Sequence, residues 1–176
     1  MINIRCEDKY LKKSIINLLL QKKLSLNTDE NEQSFFTIKI TMRENNLEFS
    51  LGDNKIIFKL PKSFNEIFED LYELISNESI HIQNHDYYPF KQLIKKNEKN
   101  IFLSEIQNTI MSNLLLNSSD GIKKIDLIKI IWPNDKDVFF NKLDTHLTNL
   151  KNYLKSESDY DLKFTSKSGL IKLIFN

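Results

Sequence analysis

Hydrophobic and polar residues alternate along three consecutive stretches in the first third of the chain and follow a helical period on either side of them. The alternating stretches are "SFFTIKITM", "NLEFSL" and "NKIIFKL", with turn-like "ENN" and "GDN" between them, and they predict a three-stranded meander. Before them, "INI" predicts a short strand and "KYLKKSIINLLLQKK" a helix. After them, "SFNEIFEDLYELIS" predicts a second helix, in which Ser63 and Glu66 have the spacing of a capping box. These elements predict a small α/β module over residues 1–76.

The rest of the chain changes from alternation to a helical period and back again. "SIHIQNHDYYPFKQLIKKNEKNIFLS" predicts a short antiparallel sheet, and "SEIQNTIMSNLLL" and "KIDLIKIIW" predict two helices, the second ending at Pro133. "FFNKLDTHLTNLKNYL" predicts a longer third helix, and "YDLKFTSKSGLIKLIF" a hairpin that turns at Ser168 and Gly169. A sheet, three helices and a hairpin in this order predict a winged helix-turn-helix domain over residues 77–176. The fold class is therefore predicted to be α+β.

The third helix has two contrasting faces. Leu143, Leu147, Leu150 and Leu154 share one narrow stripe at about 100° per residue, which is expected to pack in the core, as are Leu127 and Trp132 of the preceding helix. The opposite face carries uncharged hydrogen-bonding side chains, where a merely solvated face usually carries Lys and Glu; these residues are Asn141, Thr145, Thr148, Asn149 and Asn152.

Composition and charge restrict the classes of function. With 176 residues, 40% of them hydrophobic, the chain can bury a core. No apolar run is long enough to span a membrane, and Cys6 is the single cysteine, so we expect a cytoplasmic protein without a membrane partner or an internal disulfide. The formal net charge is +1. Any affinity for nucleic acid must therefore come from the local placement of charge.

The segment from about residue 79 to residue 175 resembles the C-terminal effector domain of OmpR/PhoB-type response regulators. The matching positions are Leu103 and Ser104 at the start of the first helix, Gly121 after it, Leu127 and Trp132 in the second, Asp144, His146, Leu147, Leu150 and Leu154 in the third, and Lys167 and Lys172 in the wing. The resemblance implies that the third helix enters the major groove of DNA and that the wing contacts the adjoining minor groove. It also implies that the connection "PNDKD" before the third helix contacts RNA polymerase.

The third helix departs from the family pattern at three positions. Where the family commonly has Arg, this chain has Thr148, Asn149 and Lys151. Asn pairs with adenine through two hydrogen bonds, whereas Arg favours guanine or phosphate. The sequence therefore predicts a preference for A·T-rich sites and weaker electrostatic attraction.

The N-terminal module resembles a shortened, degenerate receiver domain of the same family. The first strand, the acidic pair Glu7-Asp8 and the first helix match the start of a receiver, and "FKLPKSFNEIFEDLYELI" matches its last strand, Lys-Pro element and closing helix. Asp53, in the turn "GDN", is a poor candidate for a phospho-accepting aspartate. The expected role of the module is homodimerisation or interaction, without phosphorylation.

Catalytic, cofactor and metal sites are not expected. The chain has three glycines, too few for a phosphate-binding loop, and no Ser/His/Asp arrangement typical of a nucleophilic enzyme. His81 and His85 would share one side of a helix, but their segment is predicted to be strand and turn. Glu7 and Asp8 lack the third carboxylate of a receiver's Mg²⁺ site. The chain is therefore not expected to be an enzyme.

Two hypotheses of function follow. The first is a sequence-specific regulator of transcription that binds double-stranded DNA. In it, Asn141, Thr145, Thr148, Asn149 and Asn152 meet bases or phosphates, Lys142, His146, Lys151 and Lys155 flank them, and Lys167 and Lys172 hold the wing to the backbone. The second is a winged helix that has lost DNA binding and serves as a protein-protein interaction module. The sparse positive charge favours the second.

Overall fold

The computed structural model describes residues 1–21, 26–27, 33–134 and 140–174. The fold is α+β, as predicted. The chain divides into two compact units, Met1–Ile80 and His81–Asn176. None of the helices in the described ranges is both long enough and apolar enough to cross a membrane.

Five of the described strands form the sheet of the N-terminal unit. They are β1 (Ile2–Cys6), β2 (Leu26–Asn27), β3 (Phe36–Arg43), β4 (Asn46–Leu51) and β5 (Asn54–Lys59), in the order β2-β1-β3-β4-β5. β1 pairs in parallel with β2 and β3, whereas β3, β4 and β5 form an antiparallel meander. The first strand and the meander were predicted correctly. The two-residue strand β2 was not predicted, because it is too short to show a period.

Two helices cover one face of this sheet and contact each other, α1 (Lys9–Gln21) and α2 (Phe64–Ser76). The core between them includes Ile4, Ile38, Phe49, Leu19 and Leu71, each at most 2% exposed. Because strand side chains alternate between faces, every second residue of β3, β4 and β5 points away from this core. The second face of the sheet therefore carries the polar residues of the meander.

The starts of the two helices differ from the prediction. Asp8 caps α1, since its Oδ1 accepts hydrogen bonds from the amides of Tyr10 (2.9 Å) and Leu11 (3.0 Å). Ser63 precedes α2 but its side chain makes no capping hydrogen bond, so the predicted capping box is wrong. The sequence places a hydroxyl and a carboxylate at the spacing of a capping box, but the box forms only if the Ser63 hydroxyl turns towards the helix amides. At an exposed helix end, water can accept the hydrogen bonds of those amides instead.

The connections of this sheet bear on the receiver-like prediction. The strand order matches the 2-1-3-4-5 order of flavodoxin-like sheets. The turns 44–45 and 52–53, however, join β3 to β4 and β4 to β5 directly, where a doubly wound sheet has crossover helices. Asp53 lies in one of these turns. A receiver origin of the N-terminal unit stays a prediction.

The C-terminal unit begins with the predicted antiparallel sheet. Its described strands are β6 (Ile80–Ile82), β7 (His85–Tyr88), β8 (Leu93–Lys96) and β9 (Lys99–Phe102), in the order β6-β7-β8-β9. Tyr87 of β7 is 0% exposed. Its phenol oxygen lies 2.6 Å from both Asn108 Oδ1 and Ser112 Oγ, and this network joins the sheet to the helix that follows.

Three helices and a second, smaller sheet complete the unit. The helices are α3 (Glu105–Leu116), α4 (Lys124–Ile131) and α5 (Phe140–Ser158), and the strands are β10 (Ile122–Lys123), β11 (Lys163–Lys167) and β12 (Leu170–Ile174). The three helices pack against one another, and β12 lies between β10 and β11. β11 and β12 form the predicted hairpin, with Ser168 (φ 50) and Gly169 (φ 77) in its turn. This is the arrangement of a winged helix-turn-helix unit, and the β11–β12 hairpin is its wing.

Gly121 precedes β10, at a point where the chain closely approaches β12. It has φ +82, and a Cβ on this residue would lie 2.8 Å from the carbonyl oxygen of Ile171 in β12. Gly169 has a similar φ of +77, but a Cβ there would meet nothing within 4 Å. Gly121 is therefore required by both its backbone conformation and the space around it.

The two glycines make a matched pair for a stability measurement. We expect Gly169→Ala to cost about 1 to 2 kcal/mol, from the left-handed conformation alone. Gly121→Ala should cost about 1 to 3 kcal/mol more, because it also forces a methyl group against the β12 backbone. Urea unfolding followed by the fluorescence of Trp132, the single tryptophan, measures both, and equal losses would contradict the close approach.

Candidate nucleic-acid interface

The leucine stripe of α5 lies in the core of the C-terminal unit. Leu143, Leu147, Leu150 and Leu154 are between 0 and 2% exposed. α5 packs through this stripe against α3 and α4. The prediction that this side of the helix is structural is confirmed.

The opposite side of α5 is open to solvent. Five predicted contact residues are exposed there: Asn141, Thr145, Thr148, Asn149 and Asn152. At about 100° per residue they fall within roughly one third of the helix circumference. The structure therefore brings these five residues together on one uncharged, polar surface, which we call the α5 outer face.

Basic side chains border the α5 outer face on both sides. Lys142 and His146 are four residues apart and lie along one border, and Lys151 and Lys155 are four apart along the other. Lys142 and Lys155 are exposed, while His146 and Lys151 are half-buried. The four predicted flanking residues thus enclose the outer face between two basic borders.

Trp132 supports one of these borders. Its ring centroid lies 5.4 Å from that of His146 and 4.5 Å from the Lys142 ammonium nitrogen. Trp132 was expected in the core, but it is half-buried at the end of α4. It stays at the surface because α4 ends at Ile131, one residue earlier than the predicted helix, so its indole lies beside α5, in contact with a cation, and not beneath the helix. Leu127, expected in the core with it, is 0% exposed.

The two threonines of the outer face use their hydroxyl hydrogens on their own helix. Thr145 Oγ1 donates to the carbonyl of Asn141, and Thr148 Oγ1 donates to the carbonyl of Asp144, both at 2.9 Å. With the hydroxyl hydrogen engaged, each threonine offers its methyl group and oxygen lone pairs outward. The asparagines are therefore the main hydrogen-bond donors of this face.

An ion pair fixes the N-terminal half of α5 to α4. The Lys124 ammonium nitrogen lies 2.6 Å from Asp144 Oδ1, and the Lys124 side chain is only 15% exposed. The backbone amide of Lys124 also donates to the carbonyl of Gly169 in the wing turn, at 2.8 Å. One residue of α4 thus positions both the third helix and the tip of the wing.

The wing presents its lysines on one face. Lys172 pairs with Thr165 and Lys167 with Leu170 across the antiparallel hairpin, so both lysines point to the same side. Both are exposed, whereas Ile171 and Leu173 on the other side of β12 are buried. Lys163 lies on the lysine side as well, two strand positions from Thr165. Lys163 was not among the predicted contact residues, although its period-two spacing from Lys167 was a usable signal.

The C-terminal end of α5 is fixed to the four-stranded sheet. The carbonyl of Ser158 accepts a hydrogen bond from the Lys96 ammonium at 2.7 Å, and His85 Nε2 lies 3.3 Å from the same oxygen. The Tyr153 hydroxyl donates to the carbonyl of Phe102 at 3.0 Å. Cations at the last carbonyls of a helix also complement its dipole.

Two other predictions concern residues near this surface. His81 and His85 do not converge on a common point, since His81 is exposed and lies 2.9 Å from Asp86 whereas His85 is buried against Tyr160. Of the segment "PNDKD", expected by resemblance to contact RNA polymerase, Pro133 and Asn134 are exposed, and residues 135–137 lie outside the described residues.

Comparisons with known proteins give structural neighbours only. No family model matches the chain, and no curated protein matches it. One similar solved structure is the DNA-binding domain of CadC from E. coli, with 14% identity over 57% of this chain and 95% of that chain and a TM-score of 0.49. Another is the C-terminal domain of the nisin resistance regulator NsrR, a lantibiotic response regulator, with 23% identity over 47% of this chain and 84% of that chain and a TM-score of 0.38. These similarities are too distant to indicate what the chain binds. Its binding properties must be inferred from its own residues.

The burial of His85 at the end of α5 predicts a dependence of stability on pH. Burial lowers the pKa of His85 below its ordinary value of 6.5, and nearby Lys96 lowers it further, while the Ser158 carbonyl and Asp86 act in the opposite direction. Between the folded pKa and 6.5, the unfolded chain binds a proton that the folded chain does not. The stability is therefore complete above pH 6.5 and is lost as the pH falls towards the folded pKa.

Urea unfolding at about pH 8 and about pH 5.5, followed by Trp132 fluorescence, checks this expectation. His85→Gln should reduce the loss of stability at the lower pH, because Gln keeps a donor for the Ser158 carbonyl and does not titrate. His81→Gln, at an exposed position, is the control and should leave the loss unchanged. An undiminished loss in His85→Gln would refute the role of His85.

Proposed function

We propose that the chain is a sequence-specific, double-stranded-DNA-binding transcription regulator, with α5 in the major groove and the wing on the adjoining backbone. The observation that carries the proposal is the α5 outer face, with five exposed Asn and Thr side chains between two basic borders. An α-helix with its other side buried presents this polar surface as a rigid ridge, and the major groove of B-DNA admits such a ridge.

The chemistry of the outer face favours A·T-rich sites. An Asn side chain can accept from adenine N6 and donate to N7 at the same time. Thr145 and Thr148 direct methyl groups outward because their hydroxyl hydrogens are engaged with the helix, and a threonine methyl group suits the C5 methyl group of thymine. Asn149 is exposed at the edge of this face that adjoins the Lys142–His146 border, and it is the proposed base-reading residue.

The basic residues around the outer face serve the phosphate backbone in this proposal. Lys142, His146, Lys151 and Lys155 border the helix, and Lys167 and Lys172 lie on one side of the wing. Contacts of this kind fix the position of a protein on the duplex without carrying sequence information. By the family resemblance, "PNDKD" would also contact RNA polymerase.

We propose that the N-terminal unit acts as a homodimerisation module without phosphorylation. Asp53 is exposed in a turn between antiparallel strands, whereas a phospho-accepting aspartate of a receiver lies at the end of a central parallel strand. Asp8, of the receiver-like acidic pair, caps α1. Tyr10 and Leu20 on α1 are 87% and 50% exposed and supply apolar surface for a second copy.

A selection from random duplexes at low salt, followed by binding measurements on the recovered site, tests the function. We expect Asn149→Ala to cost about 1 to 3 kcal/mol on the preferred site and little on sites with the contacted base pair replaced. Lys155→Gln is the matched variant for a phosphate contact. It should weaken binding equally on all sites and reduce the salt slope by about 0.9.

Two results would count against this function. An equal loss on all sequences in Asn149→Ala would make that residue a backbone contact. A selection that enriches no site would overturn sequence-specific binding and favour the second hypothesis, a winged helix that binds another protein.

A further inference from the structure

The face of the N-terminal sheet that lies opposite the two helices carries an unexpected concentration of positive charge. Five of its strand residues are basic and all five are exposed: Arg5, Lys39, Arg43, Lys55 and Lys59. Among the described strand side chains of this face, Glu48 is the single acid. We call this surface the basic sheet face. The composition does not reveal this concentration of positive charge, because residues 1–76 together have 11 basic and 12 acidic residues.

The strand register arranges these cations in two rows. Arg5 is the partner of Lys39, Lys39 of Ser50, and Ser50 of Lys55, which makes a row across β1, β3, β4 and β5. A second row joins Arg43, Asn46 and Lys59 across β3, β4 and β5. With adjacent strands about 4.8 Å apart, the first row is about 14 Å long, and the rows lie about 13 Å apart along β3.

The cations of this face are largely available to a ligand. Of these five cations, Lys55 is the one that forms an ion pair within the part of the chain that the structure describes. Its partner is Glu48, at 2.9 Å, and the Lys55 side chain is still 48% exposed. Two more carboxylates, Glu44 and Asp53, lie in the hairpin turns at the ends of the strands and outside the rows. The surface between them is therefore net positive.

The chemistry of the face identifies the class of ligand. It contains both arginines of the chain, and the guanidinium group matches the oxygens of a phosphate group with paired hydrogen bonds. Thr37, Thr41 and Asn46 add hydroxyl and amide donors, which are frequent phosphate contacts. No aromatic side chain is found among the described strand residues of this face, whose one large apolar side chain is Ile57, 56% exposed, so these strands offer no platform for stacked bases of a single strand. Charged residues are depleted at the centre of protein-protein interfaces, where aromatic residues are enriched.

We propose that the basic sheet face binds the phosphate backbone of duplex DNA without sequence preference, as a second contact surface besides the winged unit. This deepens the proposed function, since DNA is the ligand in both. The other occupant with complementary charge is the outer side of α2 in a second copy, where Glu66, Glu69 and Glu73 are exposed. The composition of the face favours DNA, and the experiment separates the two.

The test compares two full-length variants with the same change of charge in the same unit. Arg5→Gln with Lys39→Gln removes two neighbouring cations of the basic sheet face. Lys9→Gln with Lys13→Gln removes two exposed lysines of α1, on the helix-covered side. Binding of a labelled duplex of unrelated sequence is followed by fluorescence anisotropy between about 50 and 200 mM salt. Equal thermal unfolding midpoints show that both variants are folded.

We expect the sheet-face variant to lower the log-log salt slope by up to about 1.8, or about 0.9 per lost phosphate contact, while the α1 variant keeps the slope of the unchanged chain. The preference for the selected site over the unrelated duplex should be the same in all three proteins. An unchanged slope in the sheet-face variant, or equal losses in both variants, would overturn the proposal. A sheet-face variant that binds DNA normally but sediments as a smaller species would assign the face to a second copy.

The outcomes also separate this inference from the proposed function. If no duplex is preferred, yet salt-dependent binding is weakened in the sheet-face variant alone, sequence-specific regulation fails and the basic sheet face stands. If the selected site is preferred and the sheet-face variant keeps the salt slope of the unchanged chain, the proposal for the basic sheet face fails and sequence-specific regulation stands. If the unchanged chain binds no duplex at low salt, both are overturned.

Discussion

The burial of four leucines along one side of α5 is the constraint on which the rest of the C-terminal unit depends. A stripe that is fully excluded from water permits one rotation of the helix about its axis. That rotation in turn decides which residues face solvent, so Asn149 is exposed because Leu147 and Leu150 are not. The polar surface proposed to read DNA is thus set by hydrophobic packing and not by the polar residues themselves.

Polar contacts then fix the ends of a helix that the leucines have oriented. Lys124 links the first half of α5 to α4 and to the wing turn. At the far end of α5, the Ser158 carbonyl accepts a hydrogen bond from the Lys96 ammonium. Such contacts contribute modestly to stability one by one. Their effect is positional, because they prevent the helix from sliding along its own leucine stripe, and a recognition surface must keep its register relative to the wing.

The sequence was sufficient to predict most elements of this fold, since period and turn residues are local signals. β3, β4 and β5, the three helices of the C-terminal unit and the wing hairpin all follow from them. Interactions that depend on distant pairing were not predictable in this way. The short strand β2 exists only through its pairing with β1, and the row from Arg5 to Lys55 joins four strands whose register no local pattern specifies. The surface position of Trp132 was missed because a tryptophan at a helix end satisfies the apolar period whether it lies under the neighbouring helix or beside it.

The separation of charge within the N-terminal unit gives that unit an electric dipole that its net charge conceals. The basic sheet face lies on one side, and Glu66, Glu69 and Glu73 of α2 lie on the other. A nearly neutral body exerts little attraction on a distant polyanion, and beyond a Debye length, roughly 8 Å in physiological salt, even that is screened. Within this range the field of a polyanion exerts a torque on the dipole before any contact forms, and this torque favours an approach to the strands over an approach to α2.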